Sequence, residues 1–188
     1  PGGVPLAPTR SAVEGCLLHA FARSRKLPLK SVHPLHRLDT PTSGVVLVAL
    51  DATTAGQLGR AFQERAVQKT YLAWVHGRPP EAAGVWEWPL SEPRNGYVSV
   101  DDSGVEARTR FQVLWSDAGQ SLLSLSPETG RTHQLRVHCA KAGCPIVGDR
   151  KYGRGADGVA RAFLHAWRLA FPWEGEQQEV IAPPPPDM

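Results

Sequence analysis

Apolar residues recur at intervals of three and four in two segments of the chain, and this period predicts two amphipathic helices. The first helix is expected to begin at Ser11, whose hydroxyl can cap its N-terminus. The second is expected over residues 52–65. Their apolar faces are formed by Val13, Leu17, Leu18 and Phe21 in the first helix and by Leu58, Ala61 and Phe62 in the second.

Other apolar runs have the pattern of strands. The β-branched run at 44–50 predicts one buried strand, and residues 69–77 alternate between apolar and polar as a strand does. Prolines and the pair Asn95-Gly96 interrupt the segment 85–100, which favours a hairpin or a loop insertion there. Further strands are expected at 105–115, 120–126, 146–147, 163–171 and 179–181.

The order of these elements indicates the fold class. A third helix is expected over residues 131–141, because Gly143 and Pro145 end it. Consecutive strands with helices between them favour an α+β fold, with a mixed, mainly antiparallel sheet flanked by helices and loops. We expect one domain that spans residues 1–188, closed by a proline-rich cap at 183–186.

Composition narrows the class of protein. Hydrophobic residues make up 41% and charged residues 21% of the 188, which is ordinary for a globular domain. The longest apolar run, at 45–50, is far shorter than the roughly 20 residues that span a bilayer, and no leader pattern opens the chain. Three cysteines do not indicate a disulfide scaffold. We therefore expect a cytoplasmic monomer with no membrane partner.

The net charge of +3 hides an uneven distribution. Residues 1–50 hold six basic and two acidic side chains, and residues 131–168 hold eight basic and two acidic ones. The rest of the chain therefore carries a charge of −7. Two basic segments on an otherwise acidic chain favour one face that binds a polyanion, if the fold brings them together. Solvated charge without a ligand is the alternative.

Two polar clusters precede the middle of the chain. The loop 36–44 carries Asp39 at the mouth of the predicted strand 44–50, where a rigid support can position a catalytic group. The alternative is that Asp39 only caps a turn. In the second cluster, Lys69 and Tyr71 are two residues apart on one strand face, so they can contact a phosphate and a nucleobase. The alternative is that Tyr71 packs in the core.

A third cluster, 129–138, places basic residues at the start of the predicted helix, where free N–H groups favour anions. His133 and Arg136 are three residues apart and are expected to share a helix face. A solvated basic helix is the alternative. The nearby His138, Cys139 and Cys144 match no common zinc spacing, so we expect no metal site.

Taken together and in order, these clusters resemble the motif series of RNA pseudouridine synthases, in the family typified by the bacterial ribosomal and tRNA synthase A. The matching motifs are His36-Arg37-Leu38-Asp39, Thr42-Ser43-Gly44, Lys69-Thr70-Tyr71, Gly130 to His138, Pro145 to Asp149, Tyr152-Gly153, Leu164-His165-Ala166 and Ala182-Pro183. The chain departs from the family at its start. Pro1-Gly2-Gly3 matches only the tail of an Asn-Lys-Pro-x-Gly strand, which we expect to be missing, and no S4-type RNA-binding domain is expected.

The resemblance implies a role for each matched position. Asp39 falls at the catalytic aspartate, Tyr71 at the tyrosine that stacks on the target base and takes part in proton transfer, and Arg136 at the arginine that pairs with the aspartate. Arg37 falls at the residue that helps to displace the base. The other expected RNA contacts are His36, Lys69, Arg131, His133 and Gln134.

The chemistry explains why one carboxylate is enough. Pseudouridine formation breaks the N1–C1′ bond of uridine, turns the base and reattaches it through C5, so the leaving base is also the final nucleophile. A glycosidase, in contrast, needs two carboxylates. Asp39 is expected to be ionised in a dry pocket walled by the strand 44–50 and Tyr71, with Arg136 favouring its charged form. Attack on the sugar, attack on the base and removal of the 2′ proton all stay open.

The expected substrate is a uridine flipped out of structured tRNA or rRNA, without a cofactor or metal. Arg136→Ala is expected to lose most activity with its fold intact. The two basic segments are expected to meet at one cleft around Asp39, opposite an acidic side. One alternative is a non-catalytic RNA-binding protein that retains the synthase fold. Another is a metal-dependent nucleic-acid hydrolase that uses His36, Asp39, His133 and His138.

Overall fold

A computed structural model describes residues 2–7, 15–155 and 158–188 of the chain. Its helices are α1 (Leu17–Ser24), α2 (Ala52–Gln63) and α3 (Gln134–Lys141), with one short 3-10 turn at Leu29–Ser31. Its strands are β1 (His33–Pro34), β2 (Ser43–Gly44), β3 (Val48–Ala49), β4 (Gln68–His76), β5 (Ala83–Trp86), β6 (Thr109–Ser116), β7 (Gln120–Pro127), β8 (Leu164–Trp173) and β9 (Glu176–Ile181). No helix in these ranges is both long and apolar enough to cross a membrane.

The main sheet runs in the order β2-β8-β4-β7-β6-β5, and β9 also pairs with β8. Every pair in this sheet is antiparallel except β2 with β8, which is parallel. Strands β1 and β3 form a separate antiparallel pair. The predicted α+β class with a mainly antiparallel sheet is therefore confirmed.

The core lies against the middle of the sheet. Buried side chains alternate along β7 and form runs of three on β4 and β8. The largest cluster of buried residues includes side chains of these strands and continues onto α3 and the segment after it. That cluster contains Tyr71, Val75, Phe111, Leu123, Leu125, Leu135, Cys139, Ile146 and Leu164, among others. A second cluster joins Leu58 and Ala61 of α2 to Leu169 and Phe171 of β8. Helix α2 thus packs on the sheet through the apolar stripe that its sequence carries, whereas the first six residues of α3 are all buried.

Several predicted elements are confirmed. Helix α2 begins at the expected place, because the Asp51 carboxylate caps it by accepting the Thr54 N–H at 2.8 Å. Strands β4 and β7 agree with the predictions to within one or two residues. The predicted hairpin forms around Asn95-Gly96, where the backbones of Arg94 and Tyr97 exchange hydrogen bonds of 2.9 Å. The predicted Ser11 cap lies outside the described residues.

Three predicted elements differ from the structure in extent or type. Residues 44–50 do not form one buried strand; only β2 and β3 form there, and most of the intervening side chains are half-buried. The predicted helix 131–141 begins only at Gln134, because His133 has a left-handed backbone with φ of 56°. His133 and Arg136 therefore do not share a helix face. Residues 146–147 form a bridge from Ile146 to Val75 rather than a strand.

The close approach of β2 to β8 gives a stability prediction. A Cβ on Gly44 would lie 2.2 Å from the Ala166 carbonyl oxygen, and Gly44 has φ of +119°, which side chains rarely adopt. Gly44→Ala should therefore lower the free energy of unfolding by about 3 kcal/mol or more. Gly56→Ala is the matched control, because Gly56 lies in α2 with open space around it and should gain about 0.5–1 kcal/mol. Urea unfolding measures both, and equal midpoints would contradict the proposed close packing.

Candidate active site

A cavity of about 950 Å³ opens beside the polar loop of residues 36–42. Its walls come from this loop, from the segment after α2, from β4 and from the segment that connects β7 to α3. Its apolar lining consists of Leu38, Phe62, Val67, Leu135 and Leu164. None of residues 44–50 lines it, so the expected apolar wall from that segment is wrong.

The loop presents Asp39 and is held at its C-terminal end. The Thr42 N–H donates to the Asp39 carbonyl at 2.8 Å, which closes a turn. Ser43 Oγ lies 2.9 Å from His165 Nδ1, and His165 Nε2 lies 2.9 Å from the Ala182 carbonyl. Since a carbonyl only accepts, Nε2 carries the proton, and Nδ1 of the neutral ring accepts from the Ser43 hydroxyl. This chain of contacts ties the Asp39 loop to β8 and to the segment after β9.

Arg136 binds two carboxylates at once. Its Nε and Nη2 donate to the two oxygens of Asp149 at 2.7 Å each, and its Nη1 donates to Asp39 Oδ2 at 3.3 Å. The ring of Tyr152 lies over the guanidinium, with its centroid 5.1 Å from Cζ. The predicted contact between Asp39 and Arg136, 97 positions apart, is therefore confirmed. The long bond to Asp39 leaves its carboxylate, 18% exposed, open to the cavity.

The buried pair of Arg136 and Asp149, which lies behind Asp39, is ionised. Burial disfavours both charges, but the hydrogen bonds and charge of Asp149 outweigh it and raise the pKa of Arg136. Burial likewise works to raise the pKa of Asp149, and Arg136 outweighs it, so that this pKa is lowered. Because Asp149 is only 1% exposed, Arg136→Ala would leave a buried carboxylate without its partner. The expectation that this variant keeps its fold intact is therefore replaced by a loss of stability.

Tyr71 reaches the cavity from the centre of the sheet. It lies on β4, next to a bulge at Trp167 of β8, and bulges near sites re-aim side chains. Its side chain is 9% exposed, belongs to the main core cluster and also lines the cavity. Burial, and after it the charge of Asp39, raises the pKa of Tyr71 above its usual value. The phenol is therefore neutral at neutral pH.

All six of the other predicted site residues line the cavity. Arg37 and Arg131 are exposed, and Arg131 Nε donates to the Glu106 carbonyl at 2.9 Å. Burial lowers the pKa of Lys69. Burial also lowers the pKa of His133, with Asp39 opposing the shift. Their contacts with RNA stay predictions.

Two predicted RNA contacts, His36 and Gln134, are engaged within the fold. His36 Nε2 accepts the Leu47 N–H at 3.0 Å, and its ring stacks on Phe62 with the centroids 5.2 Å apart. Gln134 is 3% exposed and its amide makes four hydrogen bonds. Its partners are Thr129 and Arg131, which donate to Oε1, and Arg108 and Thr109, which accept from Nε2. These hydrogen bonds hold neighbouring loops together, and contacts of the two side chains with RNA stay predictions.

The lining of the cavity is cationic. Its basic residues are Arg37, Arg65, Lys69, Arg110, Arg131, Arg136 and Arg168, and its acidic residues are Asp39 and Glu128. Both basic segments of the chain contribute, so the prediction that they meet at one cleft is confirmed. Arg65, Lys69 and Arg110 come from the part of the chain that carries the negative balance. An acidic opposite side stays a prediction.

Three residues of the site had no role in the sequence interpretation. Asp149 and Tyr152 lie in matched motifs, but spacing alone does not reveal their contact with Arg136. Thr42 is 4% exposed and lines the cavity, and its hydroxyl has no hydrogen-bond partner among the residues that the structure describes. A buried polar group without a partner is costly, and a ligand is one way to satisfy it.

A comparison with known protein families shows to which family the chain belongs. Residues 1–141 match the family described as RNA pseudouridylate synthase. The chain belongs to this family. The resemblance that the motifs indicated is thereby confirmed, and the members of the family are isomerases.

Relatives of the same family name support the match. The chain is 38% identical over 198 residues to an RNA pseudouridine synthase of Chloroflexus aurantiacus, covering 100% of this chain and 62% of that protein. It is 38% identical over 159 residues to the ribosomal large subunit pseudouridine synthase C of Vibrio parahaemolyticus, covering 79% of this chain and 50% of that protein. The chain thus spans about half to two thirds of the length of these curated relatives.

A solved structure shows the same architecture. The human RNA pseudouridylate synthase domain containing 4 superposes with a TM-score of 0.82 at 28% identity. The match covers 99% of this chain and 84% of that one. The fold of the synthase family is therefore present over the whole described chain.

The structure also bears on the metal-dependent alternative. Within the described ranges, no three His, Cys, Asp or Glu side chains come together as a metal site. His138 donates from Nε2 to the Trp88 carbonyl at 3.0 Å, and Cys139 and Cys144 lie in the main core cluster. The histidines proposed for the hydrolase therefore do not form a ligand set in this synthase fold.

The burial of His36 gives a pH prediction. Burial, together with the charge of Lys69, lowers the pKa of His36 from 6.5 to about 4. The unfolded chain thus binds a proton below pH 6.5 that the folded protein does not, so stability is full above 6.5 and falls as the pH drops towards 4. This residue should account for roughly 2–4 kcal/mol of the loss. In His36→Gln the decline of the urea midpoint between these pH values should be shallower; an unchanged decline would contradict the assignment.

Proposed function

We propose that the chain isomerises uridine to pseudouridine in structured RNA, with Asp39 as the reacting carboxylate. The observation that carries the proposal is the half-buried Asp39, held by the Arg136–Asp149 pair at the mouth of a cationic cavity that Tyr71 also lines. Relatives named for the large ribosomal subunit make ribosomal RNA the first class of substrate to test. A cytoplasmic location and a monomeric state are also part of the proposal.

The acidic residues of the cavity favour isomerisation over glycosidic hydrolysis. Glu128, the other acid in the lining, is bound by Arg108 at 2.7 Å and by Arg110 at 2.8 Å. Both oxygens of Glu128 are therefore paired with arginines, whereas Asp39 is paired with Arg136 through Oδ2 alone. Hydrolysis of a glycosidic bond requires a second carboxylate to activate water. Isomerisation requires one, since the base that leaves is the base that returns.

Tyr71 and the apolar lining supply the rest of the pocket. The neutral phenol presents a flat face on which uracil can stack, and its hydroxyl can donate a proton or hydrogen bond but does not start as a phenolate. Leu38, Leu135 and Leu164 exclude water around Asp39. A dry pocket strengthens the electrostatic interactions of the carboxylate and keeps water from intercepting the separated base.

The basic residues at the edge of the cavity, Arg37, Lys69 and Arg131, explain how a base could reach this pocket. The target uridine must leave its stack, which costs a few kcal/mol and least in an unpaired loop. Arg37 is exposed beside Asp39 and can occupy the space that the base leaves. Arg131 and Lys69 can neutralise the phosphates of the strand that carries the base.

Tritium release tests the proposal. RNA labelled with [5-³H]uridine, from cells that lack the protein, should release tritium with the wild-type chain, because C5 loses its hydrogen when it joins C1′. Asp39→Asn should lower turnover at least about 1,000-fold while the urea midpoint stays close to that of the wild type. Glu128→Gln, a carboxylate change in the same cavity, is the matched control and should keep most of the turnover.

The outcomes separate the candidate functions. Binding of the RNA without release by the wild type would favour the non-catalytic RNA-binding protein. Full release by Asp39→Asn would contradict the role of this carboxylate, and loss of wild-type activity in EDTA would favour the metal-dependent alternative. Mapping pseudouridines in cellular RNA with and without the protein then identifies the modified uridine.

A further inference from the structure

A second cavity, of about 650 Å³, adjoins the first on the far side of the Asp39–Arg136 contact. The two cavities share Arg37, Leu38, Asp39, His133 and Arg136 in their walls. The rest of the second lining includes Tyr97, Arg150, Lys151 and Arg161, none of which has a role in the proposed chemistry. The reacting carboxylate therefore lies at a junction, with space for more than one nucleotide.

The charge of the second cavity suits phosphate. Among the described residues, Asp39 is the one acidic side chain in its lining, against five basic ones. Arg136 and Arg161 are already paired, the latter with Asp187 at 3.0 Å. Arg37 and Arg150 are exposed, and neither has an ion pair in the described parts of the chain. Two unpaired guanidinium groups thus face a cavity that opens next to the site of reaction.

Tyr97 gives this cavity an exposed aromatic wall. Its side chain is 56% exposed, the most open of the large hydrophobic residues that the structure describes. Lys151 Nζ lies 4.7 Å from the centroid of its ring, and the ring of Tyr152 meets it edge-on at 6.2 Å. An aromatic face beside cations is the arrangement on which unpaired nucleobases stack.

The turn that carries Tyr97 is anchored before any ligand binds. Lys151 Nζ also donates to the Gly96 carbonyl at 2.8 Å, which ties the hairpin turn to the wall of the cavity. The Val98 N–H donates to Tyr152 Oη at 2.9 Å, and the same oxygen lies 2.7 Å from His133 Nδ1. Because the turn that carries Tyr97 is anchored on both sides, little conformational entropy is lost when a base stacks there.

We propose that Tyr97 stacks on an unpaired nucleobase next to the target uridine, and that Arg150 neutralises a phosphate of that part of the strand. The proposal rests on the proposed function and deepens it, because it makes a residue outside the reaction centre select the sequence or loop around the target. A nucleotide of the substrate strand is the occupant that the charge favours. An acidic peptide would match the arginines but has no use for the aromatic face.

Kinetics with three variants test the stacking. In the tritium assay, Tyr97→Ala should lower kcat/KM about 5- to 100-fold, chiefly by raising KM, because one base–aromatic stack is lost. Tyr97→Phe keeps the ring and should stay within threefold of the wild type. Trp115→Ala is the matched control, since Trp115 is 48% exposed on β6 and lines neither cavity. Thermal unfolding midpoints of all three should accompany the rates.

Salt dependence separates stacking from phosphate contact. In an Asp39→Asn background, which prevents turnover, binding of the same RNA is titrated at several salt concentrations. Tyr97→Ala should weaken binding without changing the slope of log Kd against log salt, because stacking releases no counterions. Arg150→Gln should reduce the magnitude of that slope by about one, which is the change expected when one phosphate contact is lost.

The results distinguish this inference from the proposed function. If the wild type releases no tritium, the proposed function fails, and the binding titration alone decides whether Tyr97 stacks on RNA. If the wild type is active and Tyr97→Ala matches it in KM and Kd, the inference is overturned while the proposed function stands. A Tyr97→Phe variant as impaired as Tyr97→Ala, or a lowered unfolding midpoint in Tyr97→Ala, would also overturn it.

Discussion

The ion pair between Arg136 and Asp149 is the interaction on which the site depends. A buried guanidinium without a partner is strongly unfavourable, and Asp149 provides the partner of Arg136. Two parallel hydrogen bonds of 2.7 Å between them fix the plane of the guanidinium, called here the Arg136 fork. That plane leaves Nη1 directed at Asp39. The orientation of the Asp39 carboxylate, the proposed reacting group, therefore follows from an ion pair in the interior and does not rely on an exposed loop alone. In the proposed reaction Asp149 is a positioning residue, because it acts on Asp39 through Arg136.

The main sheet brings Asp39 and Tyr71 close to each other. Asp39 comes from an irregular segment, but the short parallel contact of β2 with β8 places that segment on the same strand that borders Tyr71. The Ser43–His165 hydrogen bond and the close approach of Gly44 to Ala166 hold the two together. Groups from distant parts of the chain thus meet on supports that are rigid by themselves, as a preorganised site requires.

Much of this could be predicted from the sequence, and the failures have physical causes. Helix α2 has apolar residues at helical spacing and an Asp51 cap, and strand β4 alternates between apolar and polar residues. The local pattern is therefore sufficient to predict both elements. The run 44–50 was mistaken for one strand because β-branched residues fit any half-buried extended segment, and pairing partners decide the rest. The start of α3 was missed because tertiary contacts hold His133 in a left-handed conformation. The Asp39–Arg136 contact came from the resemblance to a family, whereas the role of Asp149 depends on a turn that no spacing encodes.

The central claim is that the shape of the Arg136 fork, and not only its charge, holds Asp39 ready to react. Arg136→Lys tests it most directly, because lysine keeps a positive charge near Asp149 but cannot make two parallel bonds to one carboxylate and a third to another. We predict a folded protein with near-normal RNA affinity and a kcat in tritium release reduced about 100-fold or more. A lysine variant that is well folded and turns over within a few-fold of the wild type would contradict the account.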